Sequence, residues 1–229
     1  MAPSPENDSP ESHGAKVDTI RGRYAAALLS GDEVAAELAI RDAIDADLTT
    51  AQIDDEIIAP ALWLVGDLWE RGEISVADEH LATEISLRVL ALEREAVRTS
   101  RARGGHRVML ATPAAELHTV ALRMCGGLLR DAGYDTLMLG ADVPPESLAD
   151  SAGRHEPDVI CLSATMPGGG DQILIAVHEV HQKRPAAGFV IGGRGVTSRL
   201  RSRPGIEVCD RVSEVVEAVD ALAKHADLN

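Results

Sequence analysis

From residue 107 onward, short apolar runs alternate with longer amphipathic ones, and that alternation limits the possible folds more than any other feature of the chain. The strand-like runs are 107–112 (RVMLAT), 134–139, 158–163, 188–192 and 206–209. Helix-like stretches fall near 118–132, 145–153, 171–183, 195–202 and 213–225. A helix between each pair of strands requires right-handed parallel crossovers, so the pattern predicts a flavodoxin/Rossmann-like five-stranded parallel sheet. Ligands of such sheets gather beyond the carboxyl ends of the strands.

The N-terminal half has a different period. Apolar residues recur at helical spacing in four groups: Ile20, Tyr24, Leu28 and Leu29; Val34, Leu38, Ile40 and Ile44; Ile53, Ile57, Leu62, Val65 and Leu68; Leu81, Ile85, Val89 and Leu92. The breaks at Gly31-Asp32, Asp47-Leu48-Thr49 and Arg71-Gly72-Glu73 are short, so the expectation is a four-helix bundle with antiparallel neighbours. Ser75 to Asp78 reads as a capping box that starts the last helix. Pro3, Pro5 and Pro10, among serines and acids, predict a disordered tail over 1–17. The expected organisation is therefore a tail at 1–17, a helical cap at 18–101, a linker at 102–106 around Gly104-Gly105, and a sheet domain at 107–229.

Composition removes several functions. A formal charge of −15 disfavours a phosphate backbone as partner, and Arg98, Arg101, Arg103 and Arg107 around the Gly-Gly break read as a solvated linker. Cys125, Cys161 and Cys209 are widely spaced and suggest neither a disulfide framework nor a cysteine metal site. No apolar stretch is long enough to span a bilayer and the N-terminus lacks a signal-peptide pattern, so the expectation is a cytoplasmic protein with no membrane or direct nucleic-acid partner.

Three strand ends carry unusual chemistry. Glu116-Leu117-His118 follows the first strand, Ser163-Ala164-Thr165 with Gly168-Gly169-Gly170 follows the third, and Gly192-Gly193 follows the fourth. A loop there can aim an imidazole into a crevice, and glycines leave room for an elongated ligand against the backbone. Together they point to one elongated cavity running into the sheet.

In these residues the chain resembles the cobalamin-binding domains of methionine synthase, corrinoid proteins and B12-dependent photoreceptors. That family's signature is an acid, one residue, His, two residues and Gly, followed by a Ser-x-Leu element and a Gly-Gly pair. This chain has Glu116-x-His118-x-x-Ala121, Ser163-x-Thr165 and Gly192-Gly193. Glu116 stands for the commoner Asp, Ala121 for Gly and Thr165 for Leu. The resemblance implies that His118 binds cobalt from below in place of the cofactor's own base. It makes Glu116 the group that holds the imidazole, and it threads the displaced nucleotide tail past Ser163, Thr165, Gly168, Gly192 and Gly193. A ligating histidine commonly needs such a carboxylate to fix its tautomer and raise its basicity.

Trp69, nine residues, and then Glu79-His80 give a W-x9-E-H spacing in the helical half. It resembles the motif of adenosylcobalamin photoreceptors that act as transcriptional repressors, in which a helical cap covers the adenosyl group. The resemblance implies adenosylcobalamin as cofactor and Trp69, Glu79 and His80 as residues of the upper face. It implies a light-sensing, non-enzymatic protein that changes conformation or assembly when the cobalt–carbon bond breaks, with self-association and a protein signalling partner. The DNA-binding domain of those repressors is expected to be absent here, and the neighbour of the Trp is Glu70 where they have a His. Photocobilin-type proteins are similar cobalamin domains that hold a bilin beside the corrin. With only 2% aromatic residues to fill the space between bundle and sheet, biliverdin or another bilin is a candidate second cofactor.

Other ligands of this sheet type fit less well. A phosphoacceptor receiver needs acids after the first strand and an Asp after the third, where this chain has Thr112-Pro113 and Ser163. A flavin would have only Tyr24, Trp63, Trp69, Tyr134 and Phe189 to stack on, and a nicotinamide site would want GxGxxG after the first strand. His178 and His181 share a polar helical face and read as solvated. The rival that survives is a corrinoid methyl-carrier protein of a methyltransferase system, which would use the same His118.

Overall fold

Four helical rods make the N-terminal half, as the periodicity requires. The computed structural model describes residues 10–96, 106–196, 200–201 and 203–226. Expectations for residues 1–9, for 102–105 of the linker, for Arg98, Arg101 and Arg103, and for much of the helix at 195–202 lie outside them. The chain divides into two compact units, Met1–Leu92 and Glu93–Asn229.

In the helical unit, α1 (Pro10–Ser30) and α2 (Glu33–Asp45) pair first. Asp32 caps α2 by accepting the Ala35 N–H at 2.9 Å. The next rod is α3 (Thr50–Ile53), a π-helical segment Asp54–Ile58 and α4 (Ala59–Glu70); the last is α5 (Val76–Ala96). The capping box read at Ser75 forms: its N–H donates to Asp78 at 2.8 Å and its Oγ accepts from the Asp78 N–H at 3.2 Å. Residues 10–17, expected in the tail, are instead the first turns of α1. Proline is tolerated in a first helical turn, and Val17, which is buried, gives this stretch an apolar anchor that its proline content hides.

The third rod is not a plain α-helix, because Pro60 has no N–H to give to the Glu56 carbonyl. The ladder widens over 54–58, where the Ala59 N–H reaches back to the Asp54 carbonyl. Arg21 Nη1 of α1 donates to the Glu56 carbonyl at 3.3 Å.

Alanine builds much of the interior of this unit. In α2 the buried residues are Ala36, Ala39, Ile40 and Ala43, while Val34, Leu38 and Ile44 are exposed. The apolar face read from the large aliphatics is thus corrected for α2, and likewise at Leu29, Leu81 and Leu92, which are exposed. Small side chains let α1 and α2 approach closely, and the interior is closed by Tyr24, whose hydroxyl donates to Ser86 Oγ of α5 at 3.0 Å.

In the second unit all five expected strands form and pair in parallel: β1 (Arg107–Pro113), β2 (Asp135–Val143), β3 (Val159–Ser163), β4 (Gly188–Gly192) and β5 (Ile206–Cys209). Their order is β2-β1-β3-β4-β5, the flavodoxin-like doubly wound arrangement. Helices α6 (Val120–Asp131), α7 (Pro145–His155), α8 (Gly169–Lys183) and α9 (Val215–Ala226) complete it. Residues Met109, Ile160 and Phe189 pack towards one face with α7 and α8; Val108, Val159 and Val190 pack towards the other with α6 and α9. Burial on both faces is why the strands read as unbroken apolar runs. The chain reverses its direction of winding between β1 and β3, so the crevice of this sheet type opens where the loops carrying His118 and Ser163 begin.

Candidate functional site

β1 ends in a tight turn. The Glu116 N–H donates to the Pro113 carbonyl at 3.1 Å, and Ala115 takes φ 65 to close it. The turn drops the Glu116 side chain into the sheet edge, where the residue is 2% exposed, and leaves the His118 side chain 39% exposed just before α6.

Glu116 is saturated with donors. One carboxylate oxygen accepts from His118 Nδ1 at 2.5 Å and from the His118 N–H at 3.0 Å. The other accepts from the Thr165 N–H at 2.6 Å and the Met166 N–H at 3.0 Å. Burial alone would raise its pKa, but the bonds from His118, Met166 and Thr165 outweigh it and hold the carboxyl at about 2. An ionised carboxylate on Nδ1 makes Nε2 the nitrogen that carries the ligating lone pair.

The β3 end serves Glu116 through its backbone. The Thr165 N–H is given to Glu116. The turn 164–166 is clamped from β4: the Ala164 N–H donates to the Gly192 carbonyl at 3.0 Å, and the Gly195 N–H to the Ala164 carbonyl at 2.9 Å. A Cβ at Gly193 would collide with the Ala164 carbonyl oxygen, and one at Gly195 with that of Met166. The Ala164 carbonyl fills the space that a side chain at Gly193 would take. A Cβ at Gly192 would make an ordinary contact with the Cys209 carbonyl, and Gly168 precedes α8 at φ 86 with open space around it.

Ser163 is the odd atom at this edge. Its Oγ is buried and has no hydrogen-bond partner among the described residues. Such groups are rare because the lost water bond costs about 1–3 kcal/mol, so a polar partner is called for at this point.

In the helical unit the candidate residues flank the α4–α5 turn. Trp69 ends α4, its carbonyl accepting the Gly72 N–H at 2.8 Å, and is 36% exposed. Glu79 lies in the first turn of α5; its carboxylate accepts from His80 Nδ1 at 2.6 Å and from Thr83 Oγ1 at 3.2 Å. The His80 side chain is 73% exposed. Both candidate histidines thus share one design, a carboxylate on Nδ1. Among the described residues no group of three or more His, Cys, Asp or Glu could hold a metal ion.

Two participants escaped the sequence reading. Thr112 Oγ1 donates to the Glu116 carbonyl at 2.5 Å, and the Asp142 N–H, at the end of β2, donates to both that carbonyl and Thr112 Oγ1 at 3.0 Å. Asp142 Oδ1 also accepts the Ala115 N–H at 2.7 Å. The backbone donors of Thr165 and Met166 leave no residue-type signal.

Comparison with known proteins agrees with this geometry. A family model described as a B12 binding domain matches residues 106–221, and a second of the same description matches residues 20–93. The HTH-type transcriptional repressor CarH of Myxococcus xanthus is 28% identical over 174 residues, 76% of this chain and 56% of its own length. CarA of the same organism is 26% identical over 86% of this chain and 64% of its own length, so the chain spans less than two thirds of either relative. Monomethylamine corrinoid protein 1 of Methanosarcina acetivorans is 25% identical over 69% of this chain and 76% of its length. The solved Methanosarcina barkeri monomethylamine corrinoid protein superposes with a TM-score of 0.74 at 17% identity, covering 90% of this chain and 98% of that one, which establishes the shared fold.

Proposed function

The chain belongs to the B12-binding domain family, and on that premise we propose that it is a light-sensing protein that holds adenosylcobalamin with His118 on cobalt and passes the signal on by a change of conformation or assembly. That it binds a corrinoid follows from the family. The residues fit one on two observations: Glu116 fixes Nδ1 of His118, and the orphaned Ser163 hydroxyl can take a polar group of a ligand entering the sheet edge.

Adenosylcobalamin supplies a cobalt–carbon bond that light breaks. This chain's residues do the rest. His118 would hold the metal, Glu116 would keep its imidazole basic and oriented, and Trp69, Glu79 and His80 would contact the adenosyl group. The W-x9-E-H spacing of Trp69, Glu79 and His80 supports the sensor reading through its resemblance to the adenosylcobalamin photoreceptors. The 28% identity to the repressor CarH supports it. In this reading the protein is not an enzyme, and its partners are other copies of itself or an acceptor protein.

The test is the absorption spectrum of protein loaded with adenosylcobalamin in darkness, before and after illumination, beside His118→Ala. A histidine-bound spectrum that changes in light and is lost in the variant is the expected result. A bilin added in the same experiment should give a red-shifted band if the protein also holds that second chromophore.

The likeness to Monomethylamine corrinoid protein 1 favours a second reading, a corrinoid methyl carrier. Light-insensitive bound cobalamin that exchanges a methyl group in darkness would decide for it.

A further inference from the structure

Two non-glycine residues hold left-handed backbone beside His118, and neither ends a helix. Ala115 (φ 65) and Asp142 (φ 52) meet across the ends of β1 and β2. The other two such residues among those described, Asp47 and Glu156, stand at the C-terminal ends of α2 and α7, where this conformation is ordinary. A left-handed alanine is strained, and such strain persists only where its surroundings impose it.

The strand beneath is irregular at the same place. β2 takes one extra residue against β1 between Leu110 and Ala111, and another between Ala111 and Pro113. Bulges bend a strand and re-aim its side chains. Here they bring Asp142 opposite the turn that carries Glu116.

We propose that Asp142, together with the Thr112 hydroxyl, is a positioning residue for the cobalt ligand: a brace across the ends of β1 and β2 that holds the Glu116–His118 segment in ligating geometry. The inference rests on the cobalamin reading above. Asp142 Oδ1 takes the Ala115 N–H and so stabilises the strained turn. Its own N–H reaches the Glu116 carbonyl and Thr112 Oγ1, while the hydroxyl of Thr112, fully buried, donates a hydrogen bond to that same carbonyl. The backbone of Glu116 is thereby fixed from below, as its carboxylate is fixed from the side by Thr165 and Met166. Two constraints on one residue leave the imidazole little freedom to rotate away from a metal, a freedom whose removal lowers the cost of ligation.

Asp142→Gly is the informative variant, since glycine accepts the left-handed backbone and removes only the side chain. In the full chain it should weaken cobalamin binding about tenfold, the effect typical of losing an outer-shell partner. It should also shift the bound spectrum from histidine-ligated towards unligated cobalt and reduce the histidine-nitrogen splitting in the paramagnetic resonance of the reduced metal. Asp142→Asn, which keeps the acceptor oxygen, should restore the wild-type spectrum; Thr112→Val should mimic the loss and Thr112→Ser reverse it. In a His118→Ala background Asp142→Gly should have no further effect. An unchanged spectrum in Asp142→Gly, or an equal loss of affinity in the His118→Ala background, would overturn the brace. Wild-type protein that retains no cobalamin would overturn the cobalamin reading itself, and the brace with it.

Discussion

Glu116 is the residue on which the site turns, and its ionisation ties the site to the stability of the fold. Its carboxyl sits at about 2 against an ordinary 4.5. A depressed value contributes stability above the ordinary pKa, and that contribution is lost as pH falls from 4.5 through about 2. The shift corresponds to roughly 3 kcal/mol at neutral pH. Urea unfolding should find Glu116→Gln less stable than wild type by about that amount near pH 6, with the gap closing below pH 4. A gap that stays constant down to pH 3 would show that Glu116 gains nothing from being ionised. The pair Glu116–His118 was visible in the sequence because side-chain chemistry two residues apart is local. Its other support was not: Thr165 and Met166 contribute N–H groups that any residue but proline supplies, and Gly193 and Gly195 matter because a neighbouring backbone, remote in sequence, occupies the place of their side chains.

The third rod of the helical unit shows how an element departs from its pattern. Its apolar spacing is helical throughout, and Pro60 is the only mark of the π segment that precedes α4. What makes the irregularity tolerable is Arg21, thirty-five positions away from the carbonyl it caps. Arg21→Ala should cost roughly 1 kcal/mol by leaving that acceptor unpaired. In a Pro60→Ala background, where an N–H is restored, the cost should nearly vanish, since the exposed Arg21–Asp18 ion pair contributes little. Equal costs in both backgrounds, measured by denaturant unfolding, would show that Arg21 acts elsewhere. The face of α2 departs from its pattern for a similar reason: the large aliphatic residues point to one interior face, but two helices that pack closely need alanine between them.

At the scale of the molecule, the cofactor and the fold should be linked by mass action. Cobalamin at about one hundred times its dissociation constant should raise the free energy of unfolding by roughly 2.7 kcal/mol. Thermal unfolding with and without the cofactor checks this, and His118→Ala should show a smaller rise. A melting temperature indifferent to cobalamin would separate the site from the fold that presents it. Among the described residues no helix is long and apolar enough to cross a membrane, in keeping with a charge of −15 spread along the chain.

The five strands, their parallel pairing, the helical half and the Glu116–His118 and Glu79–His80 pairs were determined by the sequence alone. Each rests on hydrophobic period or on neighbouring side chains, which act over a few residues. The strand order, the β2 bulges, the Asp142–Thr112 brace and the donors on Glu116 were decided only in three dimensions. They join segments remote in sequence, 27 residues for Ala115 with Asp142 and 50 for Glu116 with Met166, and where the donor is a peptide group it leaves no trace in the identity of its residue.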